Sequence, residues 1–315
     1  MDISEQLNLN SAVGEEVEPY LEMTTELAQK RRSQGRIIFD RFVRNRTAII
    51  GATFIILLFL FCFLGPLFWK IDPNLPNVLD VNSTLAPPSI AHPFGADDVG
   101  RDTMARFMSG GRVSLLVGLT SMLMAILFGI GIGSLAGYYG GIIDNILMRF
   151  TDVILSVPLY LLLFVLSASF TDGTPKSVIF LIAVFGWTYA ARLVRGEFLA
   201  LKEREYILAS RTIGAKDFRL MFRHILPNAA GPIIVNATLL IGQNIILESV
   251  LSYFNFGIKP PDASWGNMIS DGQSIFALDP WLIIFPAAGV FLTVLCLNLV
   301  GDGLRDALDP YMTER

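Results

Sequence analysis

The sequence predicts an all-α integral membrane protein with six transmembrane helices, and three observations lead there. Of 315 residues, 53% are hydrophobic and 17% are charged, whereas ordinary soluble domains carry about a quarter charged residues. Apolar runs of spanning length, roughly 20 residues each, fall at 47–69, 113–136, 148–170, 177–194, 231–253 and 282–301. The segments between them alternate in basic content: those on one side hold 18 of the 24 Lys and Arg residues, and those on the other hold 6. The positive-inside rule therefore places both termini in the cytoplasm.

Taken in order, residues 1–46 form a cytoplasmic N-terminal tail, acidic at first and then basic through Lys30, Arg31, Arg32, Arg36, Arg41, Arg44 and Arg46. Its start lacks core-forming periodicity and is expected to be disordered. The first span, 47–69, is longer than the apolar core of a signal peptide and is expected to stay as an anchor. An extracytoplasmic loop follows at 70–112, Pro-rich at first and with a candidate surface helix between Arg101 and Met108. The core of five helices occupies 113–304, and 305–315 is a cytoplasmic C-terminal tail; at their junction Gly301 to Asp306 (GDGLRD) reads equally as a tight inner turn with Arg305 paired to a carboxylate or as an ATPase contact.

Within the core, the second span carries small residues at four-residue spacing: Ser121, Ala125, Gly129, Gly133 and Gly137. Such a face lets two helix backbones approach closely, and in lipid it is packing that drives helix association. Pro158 in the third span and Pro286 in the sixth each remove a backbone bond, so kinks are expected there. The fifth span is the most polar. Asn236, Gln243, Asn244 and Glu248, with Ser252 one turn further, lie near one helix face that cannot face lipid cheaply. Interhelical hydrogen bonding and lining of a solute pathway are both open for that face, and Glu248 lies toward the outer end, within reach of interfacial water. Trp265 and Trp281 in the last outer loop are expected at the membrane interface.

The most hydrophilic interval of the core is Glu205 to Pro227, EYILASRTIGAKDFRLMFRHILP, in which Gly214 divides two amphipathic helical patterns. Gly suits a left-handed C-cap, so a short helix before it can present Tyr206, Ala209 and Ile213 to a partner, with small Ala209 and Ser210 allowing close approach. A second helix through Phe218, Phe222 and Ile225 is expected to return to the membrane, with Pro227 in the first turn of the fifth span.

Several chemistries lack their residues. No Gly-Lys dipeptide exists among 27 glycines, so no P-loop of the G-x-x-x-x-G-K-[ST] kind is present, and no catalytic or metal-ligating constellation is apparent. Cys62 and Cys296 both fall in apolar runs, where a thiol behaves as a small hydrophobe. The expectation is a non-enzymatic chain with no cofactor of its own and no nucleic-acid partner. A self-sufficient secondary transporter, the competing class, would show internal repeats with ionisable residues near the midplane; Glu248 is the clear buried acid, and no inverted duplication is apparent.

Ala209, Gly214, Ile225, Leu226 and Pro227 stand in the spacing of the EAA motif of ABC-importer permeases, with Leu208 in place of the Glu, Ser210 in place of the second Ala and His224 at the usual Ile position. His92 to Gly118 (HPFGADDVGRDTMARFMSGGRVSLLVG) and Leu297 to Pro310 (LNLVGDGLRDALDP), with Ser264 to Gly266 (SWG) and Pro280-Trp281, resemble signature segments of C-type permeases of dipeptide, oligopeptide and nickel importers. That resemblance covers about residues 35–311. It implies a type I ABC importer transmembrane-domain fold in the inner membrane of a prokaryote. It also implies a homologous B-type permease subunit, two cytoplasmic ABC ATPases that bind the ATP and Mg, and an extracytoplasmic solute-binding protein. It assigns Glu205 to Ile213 as the coupling helix. The implied ATPase-coupling residues are Glu205, Tyr206, Ala209, Ser210, Ile213, Gly214, Ala215, Ile225, Leu226 and Pro227. Asn236, Gln243, Asn244 and Glu248 are the candidates for the translocation path.

Overall fold

A computed structural model describes residues 34–75, 84–170 and 172–309; the expected disordered start of the tail lies outside them. The elements are α1 (Gln34–Arg44), α2 (Arg46–Phe68), α3 (Thr103–Tyr139), α4 (Gly141–Ser156), α5 (Leu159–Phe170), α6 (Pro175–Lys202), α7 (Glu205–Thr212), α9 (Trp265–Gln273) and α10 (Trp281–Leu308). Between α7 and α9 runs α8 (Asp217–Tyr253). Extended pairing among the described residues is confined to one isolated bridge between Ala96 and Asp102. Five helices, α2, α3, α6, α8 and α10, are each long and apolar enough to cross a membrane, and α4 with α5 makes a sixth, broken span.

Four helices begin at a side-chain cap that the sequence supplies. Asn45 accepts from the Ala48 amide to start α2, Asp102 accepts from the Ala105 amide to start α3, and Thr174 caps α6 with Pro175 behind it. Ser264 and Asn267 form a reciprocal capping box on α9, satisfying two of the amide donors that a helix start leaves free.

The expected kink in the third span is a break. Pro158 lacks an amide hydrogen and its ring forces the preceding residue out of helical geometry; Val157 accordingly takes φ -89 and ψ 131. The axes of α4 and α5 meet at 84°, so 148–170 is not one continuous helix. Pro286, by contrast, is accommodated within an unbroken α10.

The second span is longer than its apolar run. α3 extends over 37 residues, about 55 Å at 1.5 Å per residue, because Arg101–Met108 is not a separate surface helix. Thr103 onward is the first turns of α3 itself, and Arg106 is only 4% exposed. Trp265 is likewise not an interfacial anchor: it is fully buried, its ring 5.4 Å from that of Phe107. Trp281 remains 41% exposed. The GDGLRD stretch is the last turns of α10 rather than a tight turn, since Gly301 and Gly303 are buried against Leu239 and Ala48.

From Ala125 to Gly137 the small-residue ladder faces α6 within the same chain. A Cβ on Gly133 would stand 2.5 Å from the Ala191 carbonyl oxygen, and one on Gly137 would stand 2.7 Å from that of Arg195. Close backbone approach of this kind replaces the hydrophobic drive that lipid removes. Gly133→Val is therefore expected to push α3 and α6 apart, at a cost of ~1–3 kcal/mol or more for an overpacked contact. Thermal unfolding of the purified protein in detergent checks this, with Gly131→Val as the control, because a Cβ at Gly131 meets nothing within 4 Å.

Candidate functional site: the α7 platform and the polar face of α8

α7 is a short helix held against one end of the bundle by its inner face. Ile207 is fully buried there, in a cluster with Tyr138, Val194, Phe198, Leu220, Met221, Ile225, Ala229 and Ile233. Residues from α3, α6 and α8 thus share one core, and α7 rests on it. Its other side is open: Tyr206, Leu208 and Ala209 are exposed, and Ile213 is 87% exposed. An isolated helix of eight residues is far too short to be stable in water on its own; Ile207 and the turn that follows supply what its length does not.

That turn is a Schellman motif. The Gly214 amide donates to the Arg211 carbonyl at 3.0 Å and the Ala215 amide donates to the Ser210 carbonyl at 3.1 Å, the two bonds that define the motif. It requires a left-handed residue, and Gly214 has φ +84. Ser210 and Thr212 direct their hydroxyls to backbone carbonyls of the same helix, Tyr206 at 2.7 Å and Leu208 at 3.0 Å. Glu205 lies in the first turn, where an acidic side chain complements the helix dipole.

The turn is also bridged from outside. The Tyr138 hydroxyl, at the end of α3, donates to Asp217 Oδ1 at 2.6 Å and accepts from Arg211 Nη2 at 3.2 Å. The Arg211 guanidinium lies 5.6 Å from the centre of the Tyr138 ring, and its hydrogen bond to that tyrosine raises its pKa further. Neither partner is legible in the local pattern, because Tyr138 and Asp217 are 79 residues apart.

The second helix after Gly214 does not end before the fifth span. Asp217 to Tyr253 is continuous, with a π-helical stretch at Leu220–Ile225. Pro227 follows that stretch in the first turn of regular α-helix. A proline ring crowds the carbonyl four residues before it and supplies no amide donor, so the wider turn sits where the α-helical bond would be lost in any case. Of the ten residues assigned to coupling, Glu205, Tyr206, Ala209, Ile213, Gly214 and Pro227 are exposed, and Ser210, Ala215 and Leu226 are half-buried. Ile225 is fully buried and belongs to the supporting core rather than to the open surface.

The four polar residues of α8 are divided by the fold. Glu248 and Asn244 are fully buried and point at α3. Glu248 Oε2 accepts from Ser114 Oγ at 2.7 Å and Oε1 accepts from Ser252 Oγ at 2.6 Å. Asn244 Nδ2 donates to Ser121 Oγ at 2.8 Å. The network continues outward, with the Trp265 amide donating to Ser114 Oγ at 3.3 Å and the Ile258 amide donating to Ser252 Oγ at 3.0 Å. Glu248 therefore does not reach interfacial water; it bonds within the chain. Gln243 is exposed and Asn236 half-buried, and Asn236 Oδ1 is buried with no hydrogen-bond partner.

At the opposite end of the bundle from α7, Asp102 gathers three contacts. Besides capping α3, it accepts from Trp69 Nε1 at 3.1 Å and lies 2.7 Å from His92 Nδ1. Arg101 Nε donates to Asp97 Oδ2 at 2.6 Å, and Arg106 Nη2 lies 3.4 Å from Asp271 on α9. This polar knot ties the loop before α3, α3 itself and α9 into one unit. Burial raises the Asp271 carboxyl above the usual range, with Arg106 opposing that rise.

Comparison with known proteins agrees with this architecture. Residues 129–314 match the family described as binding-protein-dependent transport system inner membrane component. Residues 33–88 match the N-terminal TM domain of oligopeptide transport permease C. The oligopeptide transport system permease protein OppC of Bacillus subtilis is 40% identical over 285 residues, covering 90% of this chain and 92% of that protein. The dipeptide transport system permease protein DppC of the same organism is 40% identical over 271 residues, 86% of this chain and 83% of that one. The glutathione transport system permease protein GsiD of Pectobacterium atrosepticum is 39% identical over 279 residues, 89% of this chain and 92% of that one. Among solved structures, the MetNI methionine ABC transporter in inward-facing conformations superposes with a TM-score of 0.52 at 20% identity, over 64% of this chain and 94% of that chain. An amino acid ABC transporter superposes with a TM-score of 0.50 at 17% identity, over 64% of this chain and 92% of that chain. With six spans around a short exposed helix and these matches over nearly all its length, the chain belongs to the binding-protein-dependent transport system inner membrane components, as a C-type permease subunit of the ABC importers.

Proposed function

We propose that this permease subunit forms half of a translocation pathway for peptides, paired with a homologous B-type permease in the inner membrane. Two ATPases bind ATP and Mg in the cytoplasm and dock on α7, and an extracytoplasmic binding protein delivers the solute to the opposite end. In this reading α1 and the end of α10 face the cytoplasm together with α7, in keeping with the concentration of Lys and Arg in those segments. The observation that carries the coupling role is the pairing of an open apolar face, Tyr206, Leu208 and Ile213, with a rigid seat beneath it at Ile207. Exposed apolar side chains on a polar membrane-end surface mark an interaction site. The substrate class is favoured by the relatives' names, because oligopeptide, dipeptide and glutathione permeases all concern solutes built from peptide units.

The movement follows from continuity. Asp217–Tyr253 is one helix, so a displacement of α7 that crosses the Gly214 turn is carried along it into the fifth span, and alternating access follows as that span rocks against its neighbours. Exposed Gln243 is the path candidate on it, while Asn244 and Glu248 hold α8 to α3. The test is reconstitution of the four-component complex with its binding protein in liposomes. ATP-dependent uptake of a labelled oligopeptide is expected. Uptake by this chain alone, driven by an ion gradient, would replace this reading with that of a secondary transporter.

A further inference from the structure

The connection between α7 and α8 is short and carries a glycine with nothing packed against it: a Cβ at Gly214 would meet no atom within 4 Å. A force applied to α7 alone would be absorbed by rotation at such a hinge. The Tyr138 bonds cross it. Arg211, on the α7 side, donates to the Tyr138 hydroxyl, and Asp217, on the α8 side, accepts from it. A hydroxyl that donates to an anion while accepting from a cation is polarised by both, and each bond strengthens the other. The ring itself is held fast, 6% exposed, in the core beneath α7.

Resting on the reading that α7 docks an ATPase, we propose that Tyr138 is a positioning residue that closes the Gly214 hinge and joins α3 to α7. A displacement of the platform then moves two spanning helices together, α8 through the chain and α3 through the phenol. α3 is the helix best placed to carry that motion across the membrane. It runs unbroken from Tyr139 to Thr103, is packed on α6 along its glycines, and ends in the Asp102 and Arg106 contacts at the far side.

Two variants test this in the reconstituted complex with partner permease, ATPases and binding protein. Tyr138→Phe keeps the ring and removes the hydroxyl; Asp217→Ala, at an exposed side chain, breaks the same bond from the solvent side. For both, basal ATPase per assembled complex is expected to stay at the parental level. Stimulation by loaded binding protein is expected to fall about fivefold, the scale of one lost hydrogen bond. Asp217→Asn keeps an oxygen acceptor and should restore most of the stimulation. A purely structural role predicts lower yield or thermal stability with unchanged stimulation per complex, and that outcome in either variant overturns the proposal. Gly214→Val, run in parallel, separates the two readings. If it uncouples while Tyr138→Phe does not, the positioning role fails and docking at α7 stands; if neither uncouples, docking at α7 fails as well.

Discussion

Gly214→Val is expected to abolish stimulation of the ATPases by loaded binding protein while leaving membrane insertion and assembly at the parental level. The reason is conformational. Gly214 holds φ +84, a region in which an L-residue costs roughly 1–2 kcal/mol and a β-branched one more. No clash is involved, because a Cβ there meets nothing within 4 Å. Relief of the strain therefore comes from the backbone, which leaves the left-handed region and loses the amide bonds from Gly214 to Arg211 and from Ala215 to Ser210. α7 is then no longer aimed by its C-cap, and Tyr206 and Ile213 leave their common surface. A loss of at least ~10-fold in stimulated rate corresponds to about 1.4 kcal/mol of coupling free energy. Gly214→Asn is the informative control, since Asn tolerates the left-handed region and should retain most of the stimulation. Undiminished coupling in the Val variant would remove α7 from the ATPase interface.

How much of this was legible in the sequence depends on the range of the interactions. The six apolar runs are local signals, and the bilayer enforces them, because a spanning segment must satisfy its own backbone. The glycine ladder, the Gly214 turn and the break before Pro158 are equally local: each follows from what one residue's backbone permits. What escaped was non-local. The charged start of α3 reads as a surface helix because nothing nearby shows that Asp271, far along the chain, reaches Arg106. Trp265 reads as an interfacial anchor until Phe107 and Cys62 are seen packed around it. The tyrosine at the end of α3 carries no motif at all, and its role depends on Asp217 and Arg211 arriving from a different span. The polar face of α8 is the intermediate case: its spacing announces a function, but only the serines of α3 decide between lining a path and holding two helices together.

That decision gives the second large prediction. Glu248 is fully buried and accepts hydrogen bonds from Ser114 and Ser252, and those serines in turn receive the Trp265 and Ile258 amides. Removing the carboxyl by Glu248→Ala leaves two hydroxyls without their acceptor and opens a cavity where α3, α8 and the segment before α9 meet. Each unsatisfied buried group costs ~1–3 kcal/mol, and a large-to-small change in a packed site ~2–5 kcal/mol; the variant is expected to lose stability on the upper part of that scale. Glu248→Gln fills the same volume. Its carbonyl oxygen serves one serine, and its amide donates to the other, whose hydroxyl can turn to accept; the loss should be about 1 kcal/mol or less. Thermal unfolding in detergent separates the two variants, and uptake in the reconstituted complex should follow stability, with Gln close to the parental rate and Ala far below it. If Glu248 served passing solute through its charge, the order of effects would differ: Gln would keep full stability and still lose uptake. Gln243, exposed on the same helix and proposed above as the path candidate, should show that second pattern on substitution by Leu.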